Sequence, residues 1–338
     1  MPINNNSRAV FISITTVGLA FGLISLITQI DSSIFSSFFG FEKLFSYMQK
    51  QIVSNILLFY SVFLVVPFTL FLESIIPADA KQELWNRNIK QDLVWLFINK
   101  LFGSAVVVLY VGILSSFYES HLTPLTFNSL SDLPFIVRFI FGVLLVDFTN
   151  WFHHLVRHKV PWLWYFHAIH HSQKEMNIFT DFRVHFVDNI AAKTIVFIPL
   201  LMCSFEIPEV IIFHFLHMFY TRFYHGNVRT NLGPLKYFLV TPQSHRVHHS
   251  SLAQHMDKNF GVLFCIWDRL FGTHYDANDY PATGIHDKTF PHPQDDTIKE
   301  MLLTLIKQLF YPFHKIYQSI SKYIFVRLNG KRSGKNEF

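Results

Sequence analysis

Uncharged apolar runs alternate with polar connections along the first half of the chain, and their lengths are those of membrane spans. Residues 9–30 carry no charge, and at about 1.5 Å per residue such a helix crosses a hydrocarbon layer of about 30 Å. Two further uncharged runs cover 52–72 and 101–118, and a fourth apolar stretch, 134–152, is interrupted by Arg138, Asp147 and Asn150. The first run follows Arg8 and lacks an A-x-A cleavage pattern, so it reads as an uncleaved anchor rather than a signal peptide. A fifth apolar region, 194–219, has Glu206 and Pro208 near its middle. Its first half, 194–205, covers only about 18 Å as a helix, too short to span, which predicts a re-entrant hairpin of two short helices. Residues 297–328 interleave aromatic and aliphatic residues with Lys307, His314, Lys315 and Lys322, the pattern of a helix lying along an interface, and the basic tail "RLNGKRSGKNEF" follows.

The connections set a topology. Lys81, Arg87, Lys90 and Lys100 fall in the 73–100 connection, Lys43 and Lys50 in 31–51, and no Lys or Arg in 119–137. The positive-inside rule puts 73–100 in the cytoplasm, and after four spans the segment beyond 152 as well. The expected fold is all-α: a multi-pass membrane helical bundle with a cytoplasmic-side, histidine-rich helical cap.

Composition agrees. The chain of 338 residues is 51% hydrophobic and 15% charged, with 39 phenylalanines, whereas soluble domains carry about 25% charged residues. The net charge of +5 comes without a long basic run, so no nucleic-acid partner is expected. Cys203 and Cys265 form no CxxC pair, which argues against a zinc ribbon, an iron–sulfur cluster or a disulfide scaffold.

Histidine changes the picture. Six fall within residues 153–171, and "HRVHH" follows at 245–249. His154 and His158 are four apart and share a helix face. Pro161 is suited to start a new helix, on which His167, His170 and His171 stand at i, i+3 and i+4. His245, His248 and His249 repeat that spacing after Pro242. Neutral imidazole is a good iron ligand, and clusters from several helices can converge on metal. The isolated His121, His274, His286, His292 and His314 read as ordinary hydrogen-bonded residues.

The run "DFTNWFHHLVRHKVPWLWYFHAIHHS", with "HGN" at 225–227, "TPQSHRVHHS" at 241–250, "DKNFG" at 257–261 and "WDRLFGTHY" at 267–275, resembles the fatty acid hydroxylase (sterol desaturase) superfamily of integral-membrane di-iron enzymes. The resemblance covers roughly 140–275. It implies metal ligands at His154 and His158, at His167, His170 and His171, at His225, and at His245, His248 and His249. His153 stands where that family has an apolar or aromatic residue and is left out. Some relatives use a further histidine, for which His185, His214 and His217 are candidates. Asp147, Asp188, Asp257, Asp268 and Asn227 are available as acceptors for the second ring nitrogens, and Asp147 stands out because a carboxylate in an apolar helix is costly unless paired.

The resemblance also implies two iron ions, O2 as cosubstrate, a membrane lipid as substrate and a separate reductase or electron carrier as partner. The reaction expected is hydroxylation rather than desaturation of a lipid such as a sterol, a fatty acyl or sphingolipid chain, or an ether lipid. Residues 1–133 then hold the transmembrane helices, 134–275 the catalytic domain and 276–338 the interfacial region. The rivals are a membrane metal transporter or haem-binding subunit, and a zinc hydrolase. Transport ordinarily places ionisable residues within several spans, which the first three runs lack, and HExxH is absent.

Overall fold

The computed structural model describes residues 56–205, 207–276 and 278–333. The anchor expected over 9–30 lies outside them. Among the described residues the regular structure is helical, and isolated bridges tie loops together at Pro77 to Val228, Leu239 to Phe264 and Ser250 to Thr283.

The first described helix, α1, spans Ile56–Ile75. The connection expected over 73–100 contains a helix, α2 (Arg87–Ile98), started by Asn86, whose side chain accepts from the Ile89 N–H. Its buried face of Ile89, Gln91, Asp92 and Trp95 is half polar, which is why hydropathy alone hid it. A π turn at Asn99–Gly103 carries α2 into α3 (Ser104–His121).

The longest apolar helix of the central region is α4, Phe135–Lys159. Pro161 ends it by forcing Val160 into extended geometry (φ −96°, ψ 111°) and then opens α5, Pro161–His171. That one-residue corner folds the histidines of α5 back against those of α4. Two helices, α6 (Phe186–Met202) and α7 (Ile207–Tyr224), cover the apolar region 194–219 with a break between them. After α6, Ser204 adopts the left-handed region (φ 56°), and Arg138 ties this point down by donating to the Ser204 carbonyl and to Glu209. Because α6 begins well before residue 194, its length is about 25 Å, still short of a full crossing.

Val146, Val196, Leu200, Phe205 and Phe213 form the core between α4, α6 and α7. Gly142 is required there, since a Cβ would lie 2.3 Å from the Phe213 ring. Two short helices, α8 (Pro242–His248) and α9 (Ile266–Leu270), complete the central region. The last helix, α10 (Ile298–Ser333), runs 36 residues. It lays Met301, Leu305 and Tyr311 on the body, accepts the Trp95 indole N–H at Gln308 (2.7 Å), and exposes Ile306, Phe310, Phe313 and Tyr317 on its other side.

One described helix, α4, is long and apolar enough to cross a membrane. Among the described residues, a second crossing results only if Arg87–Gly103 and Ala105–His121, bent by 42°, count as one broken span. The expected run of separate spans is therefore altered: α3 is the continuation of α2, and α1 contributes the apolar segment Val65–Ile75. Large apolar side chains are exposed on α1 (Phe68, Phe71), α3 (Leu109, Ile113, Phe117) and the first half of α4 (Phe135, Ile136, Ile140).

Candidate metal centre

The histidines sit where helix ends meet. His154 and His158 occupy the last turns of α4, and His167, His170 and His171 the last turns of α5. His225 directly follows α7. Helix α8 is started by a reciprocal cap in which Thr241 Oγ1 accepts from the Ser244 N–H and Ser244 Oγ accepts from the Thr241 N–H. That two-turn helix delivers His245 and His248, with His249 immediately after it.

The nine side chains converge as two groups. His154, His158, His167, His171 and His248 form one, His170, His225, His245 and His249 the other, and within each group one nitrogen per residue lies within 4.8 Å of all the others. The i, i+3, i+4 boxes were expected to present one face each; instead each box divides. In α5 the i, i+4 pair His167 and His171 enters the first group and His170 the second, whereas in α8 the pair His245 and His249 enters the second and His248 the first. Positions i+3 and i+4 differ by about 100° around a helix, so one box serves two adjacent points. The stacked rings of His171 and His249, 4.2 Å apart, join the groups.

Hydrogen bonds fix the tautomers. A carbonyl only accepts, so His154 Nδ1–H donates to Phe260 O (3.0 Å), His248 Nδ1–H to Lys258 O (2.7 Å) and His225 Nδ1–H to Thr221 O (2.7 Å). His167 Nδ1–H donates to Asp188 (3.0 Å), which also receives Arg157 (2.8 Å). Each leaves a bare Nε2 lone pair facing its group. The Nε2 atoms of His154 and His248 are enclosed without a partner, and His245 Nε2 stands 2.9 Å from His225 Nε2 and 3.1 Å from His249 Nε2. Converging lone pairs are unfavourable among themselves and favourable around a cation, so this donor set fits metal.

Burial, reinforced by neighbouring imidazoles and, for His167 and His170, by Arg157, pushes the pKa values of His167, His170, His171, His245 and His249 well below the ordinary histidine range. Burial likewise brings His248 to about 4 and His225 to about 3. All are neutral near pH 7, the form that ligates. No carboxylate belongs to either group, and all-imidazole sites suit iron, zinc or copper.

The other sequence candidates lie elsewhere. His153 is buried but turns to Asn150 Oδ1 (3.0 Å). His185 caps α6 by accepting from the Val187 N–H and meets Leu309 O on α10. His217 pairs with Asp147 (3.1 Å), and the His214 side chain lies outside the described residues. Of the proposed acceptors, Asp188 and Asp257 (3.8 Å from His158 Nδ1) reach group members. Asp147 does not: it takes the N–H groups of Leu263, Phe264 and Trp267 Nε1, fastening a loop to α4. Asp268 acts one step out, receiving the Phe260 and Gly261 N–H groups and so holding the segment whose carbonyls orient His154 and His248. Asn227 pairs with Asp79. In "DKNFG" both Asp257 and Asn259 adopt φ 58°, a conformation those residue types tolerate. Sequence reasoning had no signal for the carbonyl acceptors, which any residue supplies, or for Asp181, which lies 3.4 Å from His225 Nδ1.

The sequence model of the fatty acid hydroxylase family matches residues 139–273, a segment containing all nine histidines. Over that segment the chain is similar to the fatty acid hydroxylase family. It is 30% identical over 168 residues to ornithine lipid hydroxylase OlsE of Rhizobium tropici, covering 50% of this chain and 49% of that one. Identity to human alkylglycerol monooxygenase is 36% over 141 residues, 41% of this chain and 31% of that protein. Human cholesterol 25-hydroxylase is 27% identical over 143 residues, 40% of this chain and 50% of the relative. The matches thus span a third to a half of these relatives' lengths. No solved structure gives a significant match.

Proposed function

We propose that the chain is a membrane-bound, O2-dependent non-haem di-iron monooxygenase that hydroxylates a C–H bond of a lipid. The observation that carries this reading is the convergence of five and four neutral imidazoles, several with tautomers already set to present bare Nε2 atoms. Relatives named for an ornithine lipid, an alkylglycerol and cholesterol support a lipid as the substrate class and hydroxylation as the outcome.

His154, His158, His167, His171 and His248 would hold one iron, and His170, His225, His245 and His249 the other. The pair would supply O2 activation strong enough to oxidise an unactivated C–H bond. The protein's own work is orientation and exclusion of water. Phe260 packs its ring 5.0 to 5.7 Å from His158, His248 and His154, and Trp164 lies 4.9 Å from His158. Helix α4 carries exposed apolar side chains on its first half and His154 and His158 at its end, so a lipid in the bilayer lies beside the element that leads to the centre. Electrons arrive from a separate reductase or carrier on the cytoplasmic side, the side that the Lys and Arg of 73–100 select.

Purified protein from iron-sufficient cells is expected to hold two irons per chain, and lipid extracts from expressing cells to gain a hydroxylated species. One metal per chain, or full activity with zinc alone, overturns the reading. Glu175→Cys and Ser251→Cys are expected to label from one membrane side; labelling from opposite sides overturns the topology.

A further inference from the structure

Two buried carboxylates that precede the family segment reach into the centre's supports. Glu73, near the end of α1, is 2% exposed, and its Oε1 accepts the backbone N–H groups of Ile178 and Asn227, both at 3.0 Å. Asn227 stands two residues from His225. The approach is close enough to dictate Gly226: a Cβ there would lie 2.5 Å from Thr69 and 3.2 Å from Glu73 Oε1. Asp92, on α2, is fully buried and receives Gln173 (2.6 Å), Asn177 (3.1 Å), Thr180 (3.2 Å) and Arg183 (2.9 Å). Arg183 in turn donates to Ile169 O (3.0 Å) and Ser172 Oγ (3.1 Å), the residues flanking His170 and His171.

We infer that Glu73 and Asp92 are positioning residues of the metal centre, Glu73 setting the backbone that carries His225 and Asp92, through Arg183, the end of α5. The inference rests on the metal reading above. Glu73 then bears on one group only, because His225 belongs to the second. Asp92 bears on both, since His170 and His171 divide between the groups. Neither residue touches a ligand. Each acts by removing freedom from backbone that would otherwise leave buried N–H groups or a buried guanidinium unpaired, and outer partners of this kind are worth about 10–100-fold in metal affinity.

Cobalt(II) titration of the full-length protein in detergent tests this, with the visible cobalt spectrum and metal per chain as readouts. Wild type is expected to take two cobalt ions. Glu73→Ala should weaken one site about 10–100-fold and leave the other, whereas Glu73→Gln, whose carbonyl oxygen still accepts both N–H groups, should match wild type. Asp92→Asn should weaken both sites and shift the spectrum. Asp296→Asn, which removes an exposed partner of Arg87 and Lys90 on the same helix, should change nothing. Should Glu73→Ala not fold, Glu73→Asp, one methylene shorter, must show the same one-site weakening. Wild-type affinities and spectra in both Glu73→Ala and Asp92→Asn overturn the inference. So does equal loss in Glu73→Gln and Glu73→Ala, or a lower melting temperature with unaltered cobalt binding by the folded fraction. A wild type that binds no cobalt and no iron overturns the metal reading itself.

Discussion

The two histidine groups are built from the same residue type and share α5 and α8, yet they are held differently. In the five-member group, Nδ1–H of His154, His167 and His248 meets Phe260 O, Asp188 and Lys258 O. In the four-member group only His225 has such an anchor, Thr221 O, while Nδ1 of His170, His245 and His249 is buried without a partner. A ring whose far nitrogen is tied has its tautomer and rotation settled before a cation arrives, so binding orders less. The five-member group is preorganised by protein; under the proposed function, the four-member group would take its final order from the metal.

The largest effects separate the groups. His248→Ala and His170→Ala should each abolish lipid oxidation and lower bound iron toward one per chain, with different residual cobalt spectra because each empties a different group. Identical residual spectra would collapse the two groups into one. Chelator removal should be biphasic, the four-member group releasing metal about tenfold faster, in line with the worth of outer partners; a single phase breaks the contrast. Asp188→Asn should weaken the five-member site about 10–100-fold and spare the other, read by competition with a coloured chelator. Gly142→Ala, which drives a Cβ into the Phe213 ring, should cost about 1–3 kcal/mol of stability without changing metal per chain. The smallest effect belongs to His153→Ala. Its ring faces Asn150, so metal per chain should stay unchanged, and a loss equal to that of His170→Ala would put the first box out of register.

Much of this cluster was legible in residue order, because its histidines recur at helical spacing and Pro161 and Pro242 mark where their helices begin. The break within 194–219 was legible too, since Glu206 and Pro208 interrupt the apolar run. Sequence alone could not show that α2 exists inside the 73–100 connection, because its buried face uses Gln91 and Asp92, whose partners lie about eighty to more than two hundred residues away. Nor could it divide an HxxHH box between two points. Spacing fixes only the angle between neighbours on one helix, and which histidine group each joins depends on how α5 and α8 are set against one another. Asp147 shows the same limit: its apolar surroundings announced that it needed partners, and only the packed structure decided that these are the loop N–H groups of Leu263 and Phe264 rather than a ligand imidazole. Local physics wrote the helices, their ends and the inventory of donors; long-range packing decided which lone pairs face one another, because a hydrogen-bond acceptor contributed by distant backbone leaves no mark in the residues that use it.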